Sequence, residues 1–339
     1  MISGNVTIEA LEYVLPPQIL TSDEIEEEMR GTLNRLKLPR GLLTMLTGIR
    51  ERRVWSAGER PSDVATMAAQ KVFSASGIAP GDIGCIINTS VCRDFIEPSV
   101  ACLVHGNLKL PSSCMNFDVG NACLGFSNAM HILTLMIEAG QIRYGLIVNG
   151  ETSGNVVSAT LDRLKNPAAT IETFQEQFAT LTLGSGAVAM ILGPRDGSRT
   201  NHVINGMVTL SDTRFSRICV GQSEYMKTNT LEVMNQGVRL AHETWELARS
   251  MLPNWSDDAI DRYVPHQVSV KNIQLMCDKL GISPEKQQLN YMTLGNIGPA
   301  AIPITLKMAD EEGRLHPGSH VALLGIGSGL NCSMASITW

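Results

Sequence analysis

A cysteine at the entrance to an uncharged stretch is the first point in this sequence where chemistry is legible. In Asn116-Phe117-Asp118-Val119-Gly120-Asn121-Ala122-Cys123-Leu124-Gly125-Phe126 a short polar loop passes into a largely apolar run, from about Leu124 to Glu138, with no charged residue before Glu138. A helix of that composition has no clear solvent face and belongs inside a large core. A cysteine in its first turn sits among free backbone N–H groups at the positive end of the dipole. Both favour thiolate over thiol and so make a nucleophile. Gly120, Ala122 and Gly125 leave room for an incoming carbonyl. The alternative is that Cys123 is one of eight cysteines and simply a small buried hydrophobe.

Two later stretches hold polar groups where α/β sheets present them, at strand ends. In Val264-Pro265-His266-Gln267 a histidine directly follows a short strand, placed to project from the sheet edge; alone it reads rather as a histidine satisfied by a backbone carbonyl. In Gly295-Asn296-Ile297-Gly298-Pro299-Ala300 glycines and a proline fix the loop around Asn296, which alone reads as an N-cap. The three residues make one chemistry. Cysteine attacks a thioester carbonyl, while imidazole and amide N–H groups stabilise an enolate or oxyanion as neutral donors that do not quench a carbanion. Gly325-Ile326-Gly327-Ser328-Gly329-Leu330 superficially resembles a dinucleotide loop, but it lies too near the end of the sequence for a βαβ unit to follow. It reads instead as a tight glycine turn packing close to the cysteine, and no nicotinamide cofactor is expected.

The elements that must position these groups alternate between short apolar strands and helices. Strands are expected at Val6–Val14, Ile83–Asn88, Met115–Val119, Tyr144–Asn149, Gly184–Leu192, His202–Leu210, Arg262–Pro265, Val321–Ile326 and Cys332–Trp339. Helices are expected from the capping box Thr21-Ser22-Asp23-Glu24 through Met29, and at Ser62–Ser76, Ser99–Leu108, Leu124–Glu138, Glu232–Met251, Lys271–Leu280 and Pro299–Asp310. The polar stretch from Thr152 to about Phe178 breaks the pattern and reads as a partly helical insertion, at about 152–180. The connector Gly193–Asn201 divides a half at 1–195, carrying the cysteine, from a half at 196–339, carrying the histidine and asparagine. Continuous apolar strands between helices indicate a parallel or mixed sheet covered on both faces, an α/β class.

Composition bounds the function. With 44% hydrophobic and 18% charged residues the 339-residue chain reads as ordinary globular protein, and its net charge of −6 argues against a nucleic-acid surface. No apolar run reaches membrane-spanning length and no signal peptide is expected. The cysteines show neither a CxxC pair nor a His/Cys metal spacing, so a cytoplasmic protein with reduced thiols and no metal is expected. The densest basic spot is Gly48-Ile49-Arg50-Glu51-Arg52-Arg53.

Asn121-Ala122-Cys123-Leu124-Gly125, Pro265-His266-Gln267, Gly295-Asn296-Ile297-Gly298 and Gly325–Leu330 resemble the thiolase superfamily, and most of all its ketoacyl synthase III branch, with a Cys-His-Asn triad in this order. Asn88-Thr89-Ser90-Val91 to Glu97-Pro98, Gly150-Glu151-Thr152, Gly295–Pro303 and Leu323–Met334 with Trp339 resemble, within that branch, the OleA family of acyl-CoA condensing enzymes of bacterial long-chain olefin biosynthesis. The resemblance runs through nearly the whole chain and is weakest at 36–47 and 152–178. It implies a five-layered αβαβα thiolase fold of two pseudo-repeated halves. It implies Cys123 as nucleophile, His266 and Asn296 as donors, and a homodimer in which Glu97 reaches the partner's site as the base for α-deprotonation. As a residue alone, Glu97 reads as a surface carboxylate before a proline. Arg50 and Arg52, with Gly327 and Ser328, are the residues expected at bound coenzyme A. Long-chain acyl-CoA is the implied substrate, with no cofactor beyond that thioester, and downstream pathway enzymes are implied as further partners. The reaction implied is a non-decarboxylative Claisen condensation. The alternatives are a decarboxylative ketoacyl synthase III using malonyl-carrier protein, and a catalytically silent subunit of a synthase complex. One departure stands in the first helix: Ile25 occupies the place where that branch often has a tryptophan for stacking on adenine.

Overall fold

The computed structural model describes residues 4–339. In chain order the strands are Val6–Val14 (β1), Gln18–Thr21 (β2), Glu51–Val54 (β3), Ile83–Asn88 (β4), Met115–Asp118 (β5), Tyr144–Glu151 (β6), Gly186–Pro194 (β7), Val203–Ser211 (β8), Cys219–Gln222 (β9), Tyr225–Thr228 (β10), Arg262–Pro265 (β11), His320–Gly327 (β12) and Asn331–Thr338 (β13). The helices are Ser22–Glu28 (α1), Arg30–Arg35 (α2), Leu42–Thr47 (α3), Pro61–Ser76 (α4), Val100–Leu108 (α5), Gly125–Glu138 (α6), Gly154–Lys165 (α7), Ile171–Gln177 (α8), Thr230–Met251 (α9), Val270–Leu280 (α10), Tyr291–Leu294 (α11) and Ala301–Glu311 (α12). None of them is long and apolar enough to cross a membrane.

Side-chain alternation along the strands explains the layering. On β7, Val188, Met190 and Leu192 face one core while Ala187, Ala189 and Ile191 face another. The first core holds Phe126, Ala129, Met130 and Leu133 of α6 together with Ala301, Ile302, Ile304 and Leu306 of α12. It also takes residues from the other half's strands, such as Val264, Leu323 and Ala335, so α6 and α12 form a middle layer. Outside the first half lie α4 and α5, through Val64, Ala68, Val72, Val100 and Val104. Outside the second lie α9 and α10, through Leu240, Trp245, Ile273 and Met276. The result is αβαβα. The two sheet halves are not separate, however: the strand order β11-β12-β13-β8-β1-β7-β6-β4-β5 makes one nine-stranded sheet. They touch where Thr7 pairs with Val203 and the Ile8 N–H donates to the His202 carbonyl at 2.8 Å.

A fourth cluster covers the site's flank. Ile25, Met29, Leu33 and Leu43 of the N-terminal helices pack with Val157, Leu161 and Leu164 of α7 and Phe174 of α8. The capping box forms as expected, with the Thr21 hydroxyl accepting from the Glu24 N–H at 3.1 Å and the Glu24 carboxylate accepting from the Thr21 N–H at 2.7 Å. Some expectations change. The basic spot is itself a strand, β3, paired antiparallel with β2. The β9–β10 hairpin lies in a stretch where no element was expected. The strand expected to stop at Asn149 runs on to Glu151, and α6 is not enclosed all round, since Leu135 is 48% exposed.

Candidate active site

The nucleophile candidate is held by a strained turn. A 3-10 turn, Ala122–Leu124, precedes α6, and Ala122 has φ +45°, a left-handed conformation that costs a non-glycine residue on the order of 1 kcal/mol. An asparagine chain braces it: Asn331 donates its amide to Asn121 at 3.1 Å, and Asn121 donates to Asn128 at 2.7 Å. Gly327, at the end of β12, presses against the turn, since a Cβ there would lie 3.3 Å from the Cys123 nitrogen. The expected glycine turn beside the cysteine is therefore present; Ser328, partly buried, contributes its carbonyl to the Asn331 amide at 3.2 Å.

The electrostatics of Cys123 differ from expectation. The residue keeps a partial opening, but the dense protein around it pushes the thiol up to about 12. Burial is the main cause; Cys219 on β9 and Glu151 at the end of β6 add to it, and the residue's own backbone N–H offsets only part. The expected thiolate is thus a thiol at rest, because desolvation outweighs the short turn's free N–H groups.

His266 follows β11, its N–H donating to the Leu324 carbonyl at 2.8 Å, which fixes it beside β12. The side chain is 3% exposed and burial lowers its pKa to about 4, so the imidazole is neutral. Its Nδ1 is buried without a hydrogen-bond partner among the described residues. Gln267 locks the position: its carbonyl oxygen accepts from the Asn290 and Tyr291 N–H groups at 2.8 and 3.1 Å, and its amide donates to the Gln288 carbonyl and the Thr305 hydroxyl. The histidine's loop is thereby tied to the segment that leads into Asn296.

Asn296 lies where two chain segments cross. Its N–H donates to the Thr182 carbonyl and its carbonyl accepts from the Gly184 N–H, both at 2.9 Å. Its side-chain oxygen accepts from the Gly298 N–H at 3.0 Å, which directs the NH2 group outward as a donor. The 298–300 turn packs on the 122–124 turn, bringing asparagine and cysteine segments together.

The remaining expected residues divide. Arg50 is exposed beside Met292, whose carbonyl accepts its N–H at 2.9 Å. Arg52 is not available to a ligand: it is 1% exposed, and its guanidinium donates to the Leu181 carbonyl at 2.9 Å and to the Ser22 hydroxyl at 3.2 Å. Desolvation lowers its pKa to about 10. The Arg52 assignment is therefore corrected to a structural one. Ile25 is likewise interior, at 1% exposure, and offers no stacking surface. Glu97 is exposed at the tip of the 91–98 loop, with Ile96 beside it 93% exposed. No group of three or more metal-ligating side chains occurs among the described residues. A cavity of about 450 Å³ lined by His202, Thr338 and Trp339 lies at the far end of β13 from Asn331, about 23 Å away at strand rise, and is no part of this site. Sequence reading missed the left-handed Ala122, the β9 hairpin with Cys219, and the burial of Glu151; only Glu151 carried a signal, as the polar residue ending an apolar strand.

Two mixed sheet halves sandwiching α6 and α12, with a cysteine opening the central helix, define a thiolase-type acyltransferase. Residues 117–209 match the family model 3-oxoacyl-[acyl-carrier-protein (ACP)] synthase III, and residues 252–339 match its C-terminal model. The chain belongs to the acyl-CoA:acyl-CoA alkyltransferase family. It is 42% identical over 339 residues to the protein of that name from Xanthomonas campestris pv. campestris, covering 100% of both chains. It is 38% identical to that from Shewanella oneidensis, covering 99% of both. Cerulenin-bound Xanthomonas OleA superposes with a TM-score of 0.98 at 42% identity, covering 100% of this chain and 98% of that one. A cysteine-to-serine variant of that protein, with bound lauric acid and lauroyl-CoA, superposes with a TM-score of 0.96 at 41% identity, covering 99% of both. Other structures of it carry substitutions at one glutamate and one histidine. That glutamate and cysteine stand as far apart in sequence as Glu97 and Cys123 do here, and the histidine is one position nearer its cysteine than His266 is to Cys123.

Proposed function

We propose that this chain joins two long-chain acyl-CoA molecules in a non-decarboxylative Claisen condensation. Cys123 displaces coenzyme A from the first, giving an acyl-thioester; the thiol proton leaves with the coenzyme A thiol. Glu97 of the partner subunit removes an α-proton from the second acyl-CoA. The resulting enolate attacks the acyl-Cys123 carbonyl, a C–C bond forms, and the cysteine sulfur leaves as thiolate. The product is a β-ketoacyl thioester, which is then released. Neutral His266 and the Asn296 amide donate hydrogen bonds to the developing oxyanion or enolate. Exposed Arg50 meets the coenzyme A phosphates. No cofactor beyond the substrate thioester is required.

The observation that carries this reading is the full-length likeness to proteins named for that reaction, one of them held with lauroyl-CoA. A homodimer is part of the proposal. β5 is an unpaired sheet edge with Met115 exposed, and beside it the 91–98 loop exposes Val91, Phe95 and Ile96. The two lie together, since the position of a Cβ on Gly120 is 3.2 Å from the Arg93 guanidinium. An apolar sheet edge with an apolar loop is suited to an isologous contact. The cysteines are all unpaired, and we place the enzyme in the cytoplasm, in the olefin-forming route that the resemblance of its motifs implies, ahead of enzymes that consume the β-keto product.

The test uses Glu97→Gln. Acyl transfer needs no carbon base, so this variant should acylate Cys123 at a near-normal rate yet make almost no β-ketoacyl product. Mixed with Cys123→Ala subunits it should regain activity, because one site of the heterodimer then has both groups. Proven heterodimers that stay inactive would refute the cross-subunit base, and rescue of Glu97→Gln alone by malonyl-carrier protein would replace the reaction with the decarboxylative one.

A further inference from the structure

Glu151 ends β6 and is 5% exposed. A carboxylate in such a place costs free energy unless a cation or several N–H donors compensate. Among the described residues no lysine, arginine or histidine forms an ion pair with it. The compensation comes from N–H donors and from the Cys92 thiol. One oxygen accepts from the Val91 N–H at 2.8 Å and the Asn149 amide at 3.2 Å, and the other from the Cys92 N–H at 3.4 Å. Burial outweighs these bonds and raises the Glu151 pKa, so the group is expensive to keep. An expensive buried carboxylate at the edge of a reaction site is a candidate for a functional role.

Its contacts indicate which role. Val91 and Cys92 are the root of the loop that carries Glu97. On its other side the carboxyl carbon lies 3.8 Å from the position a Cβ on Gly298 would take, and Gly298 is the residue whose N–H holds the Asn296 side chain. Further along, Asp94 makes a second tether, accepting from the Ser62 N–H at 3.1 Å and hydroxyl at 2.6 Å. Past Asp94 the tip is exposed through Glu97 and Pro98. The 91–98 loop is thus clamped at its root from inside its own subunit, and its tip is directed outward.

We propose that Glu151 is a positioning residue: by holding the Val91–Cys92 root it sets where Glu97 stands in the partner subunit's site. The inference rests on the reading of Glu97 given above. A base displaced by about 1 Å from the α-carbon it deprotonates loses on the order of a hundredfold in rate. Loading of Cys123 does not use that base, so a displaced Glu97 leaves it unchanged; losing the Glu151 charge beside Cys123 acts only within the subunit that carries the substitution, where it lowers the thiol's pKa. Glutamine cannot replace glutamate fully, because its NH2 group faces an N–H donor on one side.

The experiment pairs differently substituted subunits, co-expressed with two tags and purified as heterodimers, and measures both the burst of coenzyme A release and the β-ketoacyl product. Glu97→Gln with Cys123→Ala is the reference. Glu151→Ala with Cys123→Ala should match it, because its working site takes Glu97 from the subunit with the intact root. Glu151→Ala with Glu97→Gln should give about a hundredfold less product, because its working site takes Glu97 from the loosened root, while its burst, with Cys123 in both subunits, releases two coenzyme A per dimer against one in the reference. Glu151→Gln in place of Glu151→Ala should show the same asymmetry with a smaller loss, and it serves where the alanine variant does not fold. Equal product in the two pairs, or a loss confined to the pair with Cys123→Ala, overturns the proposal; the second outcome makes Glu151 a support of its own subunit's Asn296. If the reference pair itself is inactive, the cross-subunit reading of Glu97 fails, and the route assigned to Glu151 fails with it.

Discussion

Burial pushes the Cys123 thiol up to about 12, which favours the neutral thiol before substrate binds. The thiolate is the stronger nucleophile, so reactivity of the free enzyme should follow deprotonation. Alkylation of the substrate-free enzyme by iodoacetamide should therefore be slow at pH 7 and keep rising through pH 9. A plateau reached near neutral pH would mean a thiolate and contradict the electrostatic picture. His266 titrates on the other side. Its folded pKa is depressed to about 4 from an ordinary 6.5, so the unfolded chain binds the extra proton first as the pH falls. The stability tied to neutral His266 is present above pH 6.5 and lost between there and 4, by roughly 3 kcal/mol for a shift of that size. Denaturant unfolding across that window should show the loss in the parent and not in His266→Asn. The same variant, like Asn296→Ala, should turn over about two to three orders of magnitude more slowly. An identical acid limb in both proteins, or a rate within a few-fold of the parent, would remove His266 from the site.

At the scale of elements, the asparagine's position depends on a backbone crossing that only glycine permits. A Cβ on Gly184 would sit 1.9 Å from the Leu294 carbonyl oxygen, and Gly295, at φ +66°, places its own Cβ position 2.6 Å from the Thr182 carbonyl. Gly184→Ala must push these segments apart. It should cost about 1–3 kcal/mol in unfolding free energy and, by moving Asn296, lower turnover more than acyl loading; an alanine variant as stable and active as the parent would show that the crossing tolerates the shift. Elements with a strong local pattern were legible without a structure. β1, β4 and β11 begin and end at the residues expected from the sequence, and Thr21 caps α1 with the box its spacing announces. The β9–β10 hairpin was not legible, since its strands are four residues each and only Thr228 among them is buried, with no period-two pattern. Neither was the interior place of Arg52, whose acceptors come from residues 20, 22 and 181 and meet only in the fold. Of the candidate site, the Cys, His and Asn motifs were legible because each carries local turn chemistry. The roles of Gln267 and Glu151 were not, because each depends on partners distant in sequence.

On the scale of the whole molecule, α6 and α12 fill the space between two sheet halves that join at Thr7 and Val203, and the turn that follows Asn296 packs on the turn that holds Cys123. The exposed edge at β5 and the 91–98 loop are the surfaces on which the proposed dimer rests, so the proposed reaction and the proposed assembly are tested together. The most direct test supplies one pure saturated long-chain acyl-CoA, with no malonyl thioester, and identifies the product by mass spectrometry. The account predicts a β-ketoacyl product that retains the carbons of both acyl chains, an acyl adduct mapped to the peptide carrying Cys123, and no product from Cys123→Ser. Product appearing only after a malonyl thioester is added, with carbon dioxide released, would contradict it.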